Sequence, residues 1–113
     1  MLRNTFHGIF SGFYFKNCNL GREIESYANT ALTAIMDKAP YDASVSAVIE
    51  KQGDLYRGYI EIYSRVGSFL VNVSGTDSKT IIDQLAEKMH RKIELWRSKR
   101  YFMGLTRTPL LTQ

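Results

Sequence analysis

Between Ser44 and Ser74 the chain repeats one pattern three times, and that repetition leaves few ways to fold it. Val45, Ala47 and Ile49 alternate with more polar neighbours over Ser44 to Lys51. Tyr56, Gly58, Ile60 and Ile62 then alternate with Arg57, Tyr59, Glu61 and Tyr63, and Phe69, Val71 and Val73 with Leu70, Asn72 and Ser74. A period of two turns one side of a strand to a core and the other to water. The gaps are short and rich in turn residues, Gln52-Gly53-Asp54 and Val66-Gly67-Ser68, so consecutive strands are expected to pair antiparallel. A meander with one apolar face must be covered, and the rest of the chain has to supply the cover.

Two amphipathic segments flank the meander. Asn19 is placed to cap a helix with Leu20, Ile24, Tyr27, Ala28, Ala31, Leu32 and Ile35 on one face. Lys38-Ala39-Pro40 ends it, because the residue before proline is pushed out of the helical region. Ahead of it, Thr5 to Phe15 is aromatic and β-branched but interrupted by Gly8 and Gly12, which predicts a strand bent or bulged at a glycine. After the meander, Gly75-Thr76-Asp77 leads into a second helix running to Arg100, with Asp77 as its cap. Met103 to Gln113 has no periodicity and reads as a tail. The expected order is β-α-β-β-β-α, an α+β two-layer sandwich with two helices on one face of a four-stranded, mostly antiparallel sheet. Residues 1–102 would form the single domain and 103–113 the tail. The other sheet face, with its tyrosines and arginines, would stay open to solvent or to a partner.

The chemistry of an enzyme is not visible. There are two histidines, far apart, and one cysteine among 113 residues; no nucleophile and base, carboxylate pair or phosphate loop stands out. Cys18 alone forms no intrachain disulfide and no cysteine zinc cluster, and a reducing, cytoplasmic setting is expected. The stretch Met1 to Phe15 lacks a signal-peptide pattern, and no run approaches the roughly 20 apolar residues of a membrane span. The chain is read as a non-enzyme without cofactor or metal, and without a membrane or small-molecule partner.

Charge is where function becomes legible. Up to Glu87 the chain holds eight Lys and Arg against ten Asp and Glu; from Lys88 onward it holds seven against Glu94 alone, so a net −2 is followed by a net +6. A localised field of one sign draws a polyanion to one face. Placing residues about 100° apart from Ile82 puts Leu85, Ala86, Met89, Ile93 and Trp96 within roughly 60° of the core direction. On the same wheel Lys88, Arg91, Lys92 and Lys99 share one flank, Asp83, Glu87 and Glu94 the other, with Arg97 and Arg100 outside the basic flank. Helices built for their own stability mix the signs at i, i+4, as Glu87 and Arg91 do; segregation favours an external polyanion. Trp96 reads first as a core plug and second as a platform for a nucleobase; His90 reads as a surface histidine.

These residues resemble those of the ribosome hibernation-promoting factors and ribosome-associated inhibitors, formerly called sigma-factor modulation proteins. The resemblance covers about residues 11 to 100. It is strongest in Gly75-Thr76-Asp77, Ile82-Asp83 and Lys88-Met89-His90-Arg91-Lys92-Ile93, with Glu50-Lys51 closing a strand and Asn17 to Tyr27 joining the first strand to the first helix. It implies a stress-response factor of the short type that regulates translation by lying on ribosomal RNA in the decoding region of the small subunit. Lys88, Arg91, Arg97 and Lys99 match basic positions of the family and would meet phosphates, with Lys92 and Arg100 adding charge. Glu25, Thr33 and Ala34 stand where the family carries basic residues on its first helix, and Ser78 and Lys79 replace its Met-Tyr. The grip would then rest on the last helix and on Arg57 and Arg65. The alternative is a protein-interaction module of the same fold, self-associating through Tyr59, Tyr63 and their neighbours; a domain for other structured RNA is a third reading.

Overall fold

The computed structural model describes residues 12–106, with side chains to residue 99. β1 is Tyr14–Lys16, α1 Arg22–Lys38, β2 Ser44–Gln52, β3 Leu55–Ser64, β4 Gly67–Gly75 and α2 Ser78–Thr106. The four strands form one sheet in sequence order; β1 runs parallel to β2, and the other pairs are antiparallel. The α+β architecture and the order β-α-β-β-β-α therefore follow the alternation and the helical spacing. Of the strand expected over Thr5 to Phe15, Thr5 to Ser11 lies outside the described residues, and the described part ends one residue later, at Lys16.

The meander forms because its apolar residues come into register on one face. Val45 faces Ile62 and Ile62 faces Phe69; Ala47, Ile60 and Val71 form a second row; Ile49, Gly58 and Val73 form a third. Gly53, with φ of 63°, takes the first position of the two-residue turn between β2 and β3, where a positive φ suits the twist of a hairpin. The second turn lies at Arg65 and Val66, earlier than the expected Val66-Gly67-Ser68, and Gly67 already opens β4. The Ser64 hydroxyl donates to the Gly67 carbonyl (2.9 Å) and accepts the Val66 N–H (3.2 Å), closing the turn from its side chain.

Both helices cover this face. Ala28, Leu32 and Ile35 of α1 and Ile81, Ile82, Leu85, Met89 and Ile93 of α2 are buried with Ile49, Ile60 and Ile62. Asn19 is not the cap of α1. The helix opens at Arg22 after Gly21, whose φ of 91° only glycine adopts readily, and the Asn19 Oδ1 instead accepts the Gly21 N–H at 3.3 Å. Leu20, expected within the helix, belongs to this loop and packs against the core. The Asn29 side chain accepts the Phe13 N–H at 2.8 Å and ties the start of the sheet to α1.

α2 begins as expected. The Asp77 carboxylate accepts the Thr80 N–H (2.9 Å) and the Thr80 hydroxyl (2.6 Å), and these bonds, the hydroxyl first, hold its pKa below the ordinary carboxylate value. Two features depart from the wheel. The helix continues to Thr106, so the first residues assigned to a tail are helical. Ile81 is also core: a Cβ on Gly58 would lie 2.8 Å from Leu85 Cδ1 and 3.0 Å from Ile81 Cγ2. The missing side chain at Gly58 lets the start of α2 lie close on the sheet. Ile81 shares the azimuth of Lys99 on an ideal wheel, so that side of the helix is buried at its beginning and open further along.

Candidate nucleic-acid interface

The two flanks of α2 meet different surroundings. On one side, the Tyr27 hydroxyl of α1 donates to Asp83, while the Lys79 ammonium donates to Asp83 (3.4 Å) and to the Tyr27 oxygen (3.5 Å), standing 4.6 Å from the centre of the Tyr27 ring. Those partners, the tyrosine oxygen foremost, raise the Lys79 pKa. His90 lies on the same side; burial first and the charge of Lys38 second lower its pKa, against Glu94. The acidic flank is thus turned toward α1 and partly engaged there.

The basic flank is turned the other way, toward β4, which among the described residues is an edge strand paired with β3 alone. Lys88, Arg91 and Lys92 line a groove with Leu70, Asn72 and Leu95, and the groove continues past Lys92 and Lys99 over Phe69 and Trp96. Lys88, Lys92 and Lys99 are exposed, and among the described residues no carboxylate forms an ion pair with them. Arg91 bonds Glu87 at 3.0 Å, but both side chains are about 70% exposed, and an exposed i, i+4 pair contributes only about 0.3 to 0.5 kcal/mol. A phosphate can displace that partner.

Of the six cations singled out in the sequence, four therefore come together. Arg97 is exposed but lies on the α1 side of the wheel, and the side chain of Arg100 lies outside the described residues. The strand arginines do not join the flank. Arg57 points from the open sheet face, in a row with Glu50 and Ser74, and Arg65 sits at a hairpin tip bonded to Asp42 at 3.2 Å. Leu70, Asn72 and Leu95 line the groove without carrying charge, so the charge pattern does not point to them. The one signal for them was Leu95 itself, an apolar residue standing in the basic flank.

The other candidates offer less. The Cys18 thiol donates to the Ile49 carbonyl at 3.7 Å, and burial, followed by Glu25, raises its pKa, the reverse of an activated nucleophile. Trp96 is half-buried and meets Phe69 edge to face, ring centroids 6.0 Å apart. Among the described residues no group of three or more His, Cys, Asp and Glu could hold a metal ion, and no helix is long and apolar enough to cross a membrane.

No family model and no curated protein matches the chain. Solved structures do. The N-terminal domain of protein Y from Thermus thermophilus superposes with a TM-score of 0.63 at 15% identity, over 75% of this chain and 94% of that one. A ribosomal subunit interface protein from Coxiella burnetii superposes with a TM-score of 0.64 at 8% identity, over 77% and 96%. At such identities the likeness is one of fold: this chain has the β-α-β-β-β-α sandwich of those two proteins.

Proposed function

We propose that this protein is a non-enzymatic, cytoplasmic ribosome-associated factor that binds small-subunit ribosomal RNA in the decoding region and restrains translation. The observation that carries the reading is the free cationic flank of α2. Among the described residues Lys88, Lys92 and Lys99 form no ion pair, Arg91 has an exchangeable one, and the acids of the same helix are turned to the opposite side. No ion pair among the described residues uses the three lysines, so they are available for phosphates. The fold adds support, since it is shared with a ribosomal subunit interface protein. Lys88, Arg91, Lys92 and Lys99 would form the centre of the contact. Arg97 and Arg100 would meet a second stretch of backbone.

Co-sedimentation with purified small subunits tests the reading. The chain should travel with the subunits at low salt and leave them as salt rises, because each phosphate contact releases counterions. A Lys88→Glu, Arg91→Glu, Lys92→Glu variant should remain in the supernatant. Binding that is absent at low salt, or retained by the variant, removes the proposal.

A second reading follows from the open sheet face, where Tyr14 is 63% and Tyr63 47% exposed. Tyrosine is enriched at protein interfaces, and self-association through this face is its simplest form. Light scattering over a range of concentrations decides it; a mass that stays monomeric excludes self-association.

A further inference from the structure

The middle of the cationic flank holds a residue that phosphate contact does not explain. Leu95 is 60% exposed and stands between Lys88 and Arg91 on the helix wheel. Across the groove runs the edge of β4 at Leu70, Val71 and Asn72, the Leu70 side chain itself belonging to the open sheet face by the alternation of the strand. Single exposed leucines need no explanation. One set in a groove with cations on its rim and Trp96 and Phe69 in its continuation asks for a ligand that is anionic and apolar at short spacing. A second copy of the chain is disfavoured there, because it would set like charges against each other. A nucleotide meets both demands, with its phosphate on the rim and its base on the floor.

The form of the nucleic acid also matters. Lys88 and Lys99 are separated by about 16 Å along the helix, enough to meet more than one phosphate of a strand. In a duplex the bases are stacked away from such a groove, whereas loops, bulges and single strands can splay a base into it. We propose that the groove between β4 and α2 takes one unstacked base of single-stranded or looped RNA against Leu95 and Trp96, while Lys88, Lys92 and Lys99 hold the neighbouring phosphates. The proposal rests on the RNA reading of the flank and adds which form of RNA the flank prefers.

The full chain is titrated with three probes of equal strand length: a short oligouridylate, the same backbone without bases, and the oligouridylate annealed to oligoadenylate. Affinity is read from anisotropy of the labelled strand, and the site from emission of Trp96, the single tryptophan. The oligouridylate should bind at least about fivefold tighter than the abasic strand, the low end of what stacking one base contributes, and tighter than the duplex per phosphate. It alone should change the Trp96 emission. Leu95→Ser, outside the core, should bring the oligouridylate down toward the abasic level with its salt dependence intact. Equal binding of all three probes overturns base capture and leaves the phosphate reading standing. No binding of any probe at low salt overturns the RNA reading itself. An acidic peptide of alternating Glu and Leu that displaces the oligouridylate at equal charge would give the groove to an extended protein segment on the edge of β4, and would also overturn the proposal.

Discussion

The two flanks of α2 belong to one helix and differ in what their charges do. Asp83 is held by Tyr27 and Lys79 at the seam with α1, while Lys88, Lys92 and Lys99 project beside an edge strand, where no carboxylate among the described residues pairs with them. Asp83 therefore acts within the fold, and the three lysines are spare. The difference teaches that the sign of a patch says little until its partners are counted: a charge satisfied at home contributes to stability, and one left over is available for binding.

The comparison breaks most visibly under substitution on either side. Reversing Lys88, Arg91 and Lys92 to Glu should reduce affinity for ribosomal RNA by orders of magnitude and leave the urea midpoint nearly unchanged, because these side chains are exposed. Glu87→Gln should act the other way, freeing Arg91 and strengthening RNA binding slightly. Filter binding and urea denaturation on the same preparations check both halves.

Stability should answer to what lies beneath and beside the helix. Gly58→Ala would drive a methyl group into buried Leu85 and Ile81, and overpacking of this kind costs about 1 to 3 kcal/mol. The same substitution should leave the salt dependence of RNA binding intact. Tyr27→Phe removes the hydroxyl that joins α1 to Asp83 and should cost about 0.5 to 1.5 kcal/mol, again read from urea unfolding with RNA affinity as the control.

The smallest expected effect lies at His90. Its folded pKa lies below the ordinary 6.5, through burial first and Lys38 second. A base shifted in that direction binds its proton less readily in the folded chain than in the unfolded one. Its contribution is therefore fully present above pH 6.5 and is lost as pH falls through the lowered value. Urea midpoints followed from neutral to acid pH should fall slightly less for His90→Gln than for the parent chain. An identical pH profile would exclude a role for the His90 shift.

Much of the fold was legible because its signals are local. The three alternating runs define the meander without reference to distant residues, and Asp77 with Thr80 three positions later is a complete cap. What the sequence concealed depends on three-dimensional neighbours. Asn19 has the chemistry of a cap, but Gly21 can adopt a φ of 91° and the helix starts after it. Ile81 lies off the apolar stripe of an ideal wheel and is buried because Gly58 and Gly75 leave room above the sheet. The basic flank could be drawn from spacing alone. That it faces the open edge of the sheet, with the edge of β4 as the other wall of its groove, required the sheet order and the side of the sheet on which α2 lies.

The most direct measurement is the salt dependence of small-subunit binding, compared between the parent chain and a Lys88→Gln, Lys92→Gln, Lys99→Gln variant. If these three lysines each neutralise a phosphate, the slope of log K against log salt should become shallower by about 2 to 3 in the variant, at roughly 0.7 to 0.9 per lost contact. An unchanged slope would contradict the account, since it would mean that the spare charges of α2 never meet the RNA.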